Sequence, residues 1–73
     1  MAADTAKYGM PLTPKEKECL QWTTMLGRCA LAASVMGIAE GTAKAHLLSV
    51  RTKLGTNTTL QAAYLALKKG LIE

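Results

Sequence analysis

The sequence predicts an all-α domain of four helices. Three observations carry that expectation. Apolar residues recur three and four apart at Ala43, Leu47, Val50 and Leu54, which puts them on one helix face. Two segments, Leu12-Thr13-Pro14-Lys15-Glu16 and Thr58-Thr59-Leu60-Gln61, carry the chemistry of helix starts. Gly27, Gly37, Gly55 and Gly70 stand where the periodic runs end.

Residues 1–11 read as a flexible lead-in, small and polar with Gly9 and Pro11. The domain is expected over 12–73. Thr13 caps the first helix, Pro14 takes its first position and Glu16 completes a capping box, with Leu12 as a hydrophobic staple. This helix should run from Pro14 to Met25 or Leu26 and stop at Gly27. Cys19, Leu20, Thr23 and Leu26 are its expected inner face, with Trp22 at the margin. A shorter, Ala-rich second helix spans about Ala30 to Met36, leaving Cys29 in or near a loop. Gly37 ends it and Ile38 tucks inward. The third helix runs from about Glu40 to Leu54. A Gly-containing interval, Met36-Gly37-Ile38-Ala39, joins the two, so residues 29–48 read as a helix-turn-helix. Gly55-Thr56-Asn57 breaks the third helix. Thr58 and Gln61 form a second capping box, and the fourth helix runs from Thr59 to Lys69. Ala62, Ala63, Ala66 and Leu67 are its inner face; Leu71 and Ile72 fold back after Gly70.

The 73 residues allow one domain at most. Half the chain is apolar, yet Phe is absent and only Trp22, Tyr8 and Tyr64 are aromatic, so the core must come from Leu, Ala, Met, Ile and Val. A bundle with close helix approach suits that set; a catalytic cleft with its own supporting shell does not. Two cysteines and one histidine fall short of a four-ligand zinc site, and reduced thiols fit a cytoplasmic protein. His46 has no nucleophile or acid that would make it catalytic and is expected to pack against the first helix or meet the backbone. No enzyme, cofactor or metal is expected. No run of 18 apolar residues exists to span a membrane, and the N-terminus lacks a signal-peptide pattern.

Net charge is +4, and its distribution is informative. Lys15, Glu16, Lys17 and Glu18 cancel. Lys68 and Lys69 complement the end of the fourth helix. The third helix carries Lys44, Arg51 and Lys53 against Glu40 alone. It buries one side and offers short and basic groups on another. Such a helix can enter a DNA groove, where cations meet phosphates or guanine edges.

Four pieces in this order resemble the DNA-binding domain of LuxR-type (GerE- or NarL-like) bacterial transcription regulators. They are Leu12-Thr13-Pro14-Lys15-Glu16 with Leu20; Gly41-Thr42-Ala43-Lys44-Ala45-His46-Leu47; Lys53-Leu54-Gly55; and Gln61-Ala62 with Ala66 and Gly70-Leu71-Ile72. The resemblance covers about residues 12–72, and Glu18-Cys19-Leu20-Gln21-Trp22 leans toward the quorum-sensing branch. It implies a four-helix LuxR-type helix-turn-helix domain with the third helix as recognition helix, reading double-stranded DNA in the cytoplasm. It further implies a homodimer on two-fold sites, with half-sites roughly 34 Å apart. Carried over residue by residue, it implies phosphate contacts from Thr42 and Lys53, a base-edge or phosphate contact from Lys44, an apolar thymine contact from Ala45, and a reading position at Leu48. Arg51 joins them on charge and position. The fourth helix would mediate dimerisation, with Leu60 and Tyr64 as the candidate face, and RNA polymerase is a further candidate partner.

The sequence also departs from the family pattern. Ala39 stands where Ser or Thr usually caps the reading helix, Ala43 replaces Val, Leu48 is apolar, and Thr58-Thr59 replaces Asn-Arg. Two alternatives stand beside this reading. One is a sigma-factor-like promoter reader, against which Lys53-Leu54-Gly55 and Gly70-Leu71-Ile72 argue. The other, kept open by Ala39, Leu48 and the Thr58-Thr59 pair, is a small helical protein-interaction module that keeps the helix-turn-helix fold without specific DNA binding.

Overall fold

The computed structural model describes residues 11–72; the lead-in expected at 1–11 lies outside them apart from Pro11. Four helices follow in order: α1 (Pro14–Leu26), α2 (Cys29–Met36), α3 (Glu40–Leu54) and α4 (Thr59–Lys68). α1 packs against all three others, α3 packs against α2 and α4, and α2 does not touch α4. Helix α1 is therefore the common floor on which the pair α2–α3 and the helix α4 are set.

Local chemistry explains each boundary. Thr13 Oγ1 accepts from the Glu16 N–H and Glu16 Oε1 accepts from the Thr13 N–H, so both halves of the α1 capping box are made. Leu12, just before the cap, is buried. Helix α2 ends at Gly37, whose φ of 71° is open to glycine at little steric cost. There the Ile38 N–H reaches the Ala33 carbonyl and the Gly37 N–H reaches Ser34, a Schellman closure that turns Ile38 onto the core. The same pattern closes α3 through Thr56 to Arg51 and α4 through Leu71 to Ala66. The last of these folds Ile72 into the core, as expected.

Four expectations about the helices are corrected. Cys29 is the first residue of α2, not a loop residue. Leu26 and Leu67 are exposed. The inner stripe of α1 finishes at Thr23, and the last turn runs past the core to Gly27. Leu67 follows Leu60 and Tyr64 by seven and three residues, so it joins their outer stripe and leaves Ala62, Ala63 and Ala66 inside. At α4, Thr58 caps the Gln61 N–H, but the Gln61 side chain accepts from the Asn57 N–H, one residue before the expected partner.

The core is built from Leu12, Cys19, Leu20, Ala33, Ala43, Leu47, Val50, Ala62, Ala63, Ala66 and Ile72. Small residues occupy the crossings. The Cys19 thiol donates to the Ala43 carbonyl at 3.5 Å, which shows how near α1 and α3 lie. Burial raises the Cys19 pKa and keeps the thiol protonated.

The largest surprise is Lys53. It is only 8% exposed, and its Nζ lies 2.7 Å from Glu16 Oε1 and 3.2 Å from the Pro11 carbonyl. The phosphate contact expected of Lys53 is therefore corrected: its ammonium joins the end of α3 to the start of α1. Burial by itself would raise the Glu16 pKa. Hydrogen bonding from Lys53, Ser49 and the Thr13 backbone, with the charge of Lys53, outweighs burial and lowers it to about 2.

Two predictions follow from this pair. Lys53→Met leaves a buried carboxylate without its cation and should cost about 3–5 kcal/mol, with Glu16→Leu/Lys53→Met recovering much of the loss; urea denaturation of the three chains measures this. Because the folded pKa of Glu16 is depressed, its stabilisation is complete above about pH 4.5 and is lost as pH falls toward 2. The shift corresponds to on the order of 3 kcal/mol. Thermal melts between pH 2 and 6 should show that loss in the wild type, and Glu16→Gln should show a smaller dependence.

Candidate nucleic-acid interface

Helix α3 divides cleanly by face. Ala43, Leu47 and Val50 point into the core, with Lys53 beside them. The opposite line contains Gly41, Ala45, Leu48 and Thr52, spaced four, three and four residues apart. Gly41 and Ala45 are exposed, and Leu48 is 57% exposed despite being a large apolar side chain. Thr52 Oγ1 donates to the Leu48 carbonyl at 3.0 Å, so the hydroxyl is turned back on its own helix.

Cations flank this line on one side. Lys44 is exposed and its Nζ lies 3.6 Å from Glu40 Oε2, one turn earlier. An exposed pair of this kind is held weakly, so the lysine can exchange its partner. Arg51 is half-buried and its Nη1 donates to Thr59 Oγ1 at 3.1 Å, which ties the last turn of α3 to the first turn of α4. Thr42 is exposed on the other side of the line. Thus Thr42, Lys44, Ala45 and Leu48 share the free surface of α3, Arg51 lies at its C-terminal edge, and Lys53 is withdrawn. Gly41 and Thr52 complete the stripe by their spacing from Ala45 and Leu48, although neither residue type by itself suggests recognition.

No side chain caps the N-terminus of α3 at Ala39; Glu40 supplies a negative charge in its first turn instead. On α4, Leu60 is 81% and Tyr64 60% exposed, one turn apart, and Lys68 Nζ lies 5.6 Å from the Tyr64 ring centre. His46 is half-buried. Among the described residues no three His, Cys, Asp or Glu side chains gather into a metal-binding group, and no helix is long and apolar enough to cross a membrane.

Comparison with known proteins agrees with this architecture. Residues 10–66 match the family model GerE, described as bacterial regulatory proteins, luxR family. The chain is 34% identical over 67 residues to the transcriptional activator protein AnoR of Acinetobacter nosocomialis, covering 92% of this chain and 28% of that protein. It is 36% identical over 62 residues to a Sinorhizobium fredii (strain NBRC 101917 / NGR234) protein named as an HTH-type transcriptional regulator, y4qH, covering 85% of this chain and 19% of the other. The chain thus spans less than a third of the length of these curated relatives. No solved structure gives a significant match. With four helices in the expected order and the family model matched over most of its length, the chain belongs to the luxR family of bacterial regulatory proteins.

Proposed function

We propose that this chain is a sequence-specific DNA-binding domain that regulates transcription, with α3 as its recognition helix in the major groove. The observation that carries the reading is the division of α3: its inner face is held in the core, while its outer face is free and edged by Lys44 and Arg51. Membership of the luxR family and the names of two relatives as transcriptional regulators support the same function.

Each residue has a role in this reading. Lys44 releases Glu40 and meets a phosphate or base edge. Thr42 meets a phosphate near the start of α3. Ala45 and Leu48 face the bases, and Arg51, braced by Thr59, reaches the backbone beside the groove. Two copies bind a two-fold site through α4, using Leu60 and Tyr64. The exposure and helical spacing of these two residues support that interface. RNA polymerase contact, a cytoplasmic location and a quorum-sensing input belong to this reading on family resemblance.

Selection from a random duplex pool at two salt concentrations tests the function. A two-fold motif should be enriched, with affinity falling as salt rises. Lys44→Ala should weaken binding to the selected site several-fold and, if its contact is to phosphate, reduce the log–log salt slope by about 1. Failure of the folded chain to bind at either salt, as monomer and as forced dimer, would favour a protein-interaction module.

The dimer has a separate test. Leu60→Asp with Tyr64→Ala should change stability little, within about 1 kcal/mol for two exposed positions. It should remove cooperative occupancy of the second half-site, measured by titration on duplexes carrying one or two half-sites.

A further inference from the structure

We propose that Leu48, on the ridge Gly41–Ala45–Leu48–Thr52, reads the 5-methyl group of thymine in the major groove and is the specificity-determining contact, beyond the thymine contact that the family resemblance implies for Ala45. This inference rests on the DNA-binding reading and narrows it to a chemical class of base edge. Three features of the ridge carry it.

The first is what the ridge lacks. The line of α3 farthest from the core holds no Arg, Lys, Asn, Gln, Asp or Glu. Bidentate recognition of a purine needs a forked or paired hydrogen-bonding group, and no residue of the ridge has one. Thr52 has a hydroxyl, but its proton is engaged by the Leu48 carbonyl, so toward a partner it offers a single acceptor oxygen and its methyl and no paired hydrogen-bonding group. Lys44 lies to one side, beside Glu40, and can serve the phosphate wall of the groove.

The second feature is Leu48. A leucine 57% exposed in the middle of the outer face contributes little to this fold, because the core is complete without it. Apolar contact with the thymine methyl is the base-edge interaction open to such a side chain. Cytosine presents no methyl at that position, and the amino group it places in the groove would lose water against leucine without gaining a hydrogen bond.

The third feature is Gly41. It lies inside the first turn of α3 with ordinary helical backbone, and a Cβ built there would meet nothing within 4 Å. The fold therefore does not require glycine at this position, and alanine is the better helix former. A bare backbone on the outer face lets another molecule come close. With Ala45 one turn on, the N-terminal half of α3 can sink deep enough for Leu48 and the Thr52 methyl to reach base edges.

The experiment uses the 73-residue chain and the duplex that it enriches from a random pool. Each thymine of the enriched site is replaced in turn by deoxyuridine, which removes the methyl and keeps every hydrogen-bonding group. The proposal expects T·A pairs at the centre of each half-site. At one or more of them deoxyuridine should weaken binding by roughly fourfold, the effect of burying one methyl-sized group. Leu48→Ala should bind the thymine site less tightly and lose the penalty for deoxyuridine at its position. Gly41→Ala should melt no lower than wild type yet bind the site more weakly. A half-site specified by G·C pairs, indifference of wild type to every deoxyuridine, or unchanged binding by both variants would overturn the proposal while leaving the DNA-binding reading intact. No binding to any duplex by the folded chain would overturn both. Thermal melts of both variants separate loss of contact from loss of fold.

Discussion

The buried pair of Glu16 and Lys53 sets the frame for the recognition helix. One carboxylate oxygen, Glu16 Oε1, receives the Thr13 N–H at 2.9 Å and the Lys53 ammonium at 2.7 Å. The ammonium also holds the Pro11 carbonyl. The start of α1, the chain entering it and the last turn of α3 therefore meet at one point. A buried ion pair adds little net stability over a well-packed apolar pair, because both charges lose water. Its contribution is geometric: sliding or rotating α3 on α1 separates the charges in a site that water enters poorly. Since Ala43, Leu47 and Val50 lie on the same helix as Lys53, this restraint also fixes which residues of α3 face outward.

Small side chains make the rest of that arrangement possible. The largest fully buried side chains are Leu20, Val50 and Cys19. Alanines from all three of α2, α3 and α4 enter the interior at Ala33, Ala43, Ala62, Ala63 and Ala66. Such a core gains less from apolar area than one built on aromatics, and it gains it at short separation. The cost of leaving α3 uncapped at Ala39 falls on the same small domain. Glu40 offsets part of it by placing negative charge at the positive end of the helix.

The helices were legible because their ends are written in local chemistry. Thr13, Pro14 and Glu16 start α1, Gly37 and Gly55 stop α2 and α3, and Thr58 caps α4, all as their residue types imply. What was not legible depends on partners distant in sequence or on where the core runs out. Lys53 reads as a solvated cation until α1 brings Glu16, 37 positions away, against it. Leu26 and Leu67 fit an inward stripe by spacing, yet the first lies past the end of the core and the second on its outer side. In the candidate interface, periodicity puts Lys44, Leu48 and Arg51 away from the core; Lys44 and Leu48 are exposed, while Arg51 is half-buried and bonded to Thr59. Periodicity could not show that the Thr52 hydroxyl bonds backward or that the space beside Gly41 is open.

These facts separate two kinds of position on one helix. Ala43, Leu47, Val50 and Lys53 answer to the fold, and a change at any of them alters how α3 lies on α1. Gly41, Ala45 and Leu48 are exposed and stand outside the core, so the fold places few demands on them. A recognition helix built this way can vary its outward side chains while its orientation stays fixed. Arg51 stands between the two classes, because its bond to Thr59 couples the edge of the outer face to α4. The helix proposed to join two copies is thereby linked to the helix proposed to read the bases.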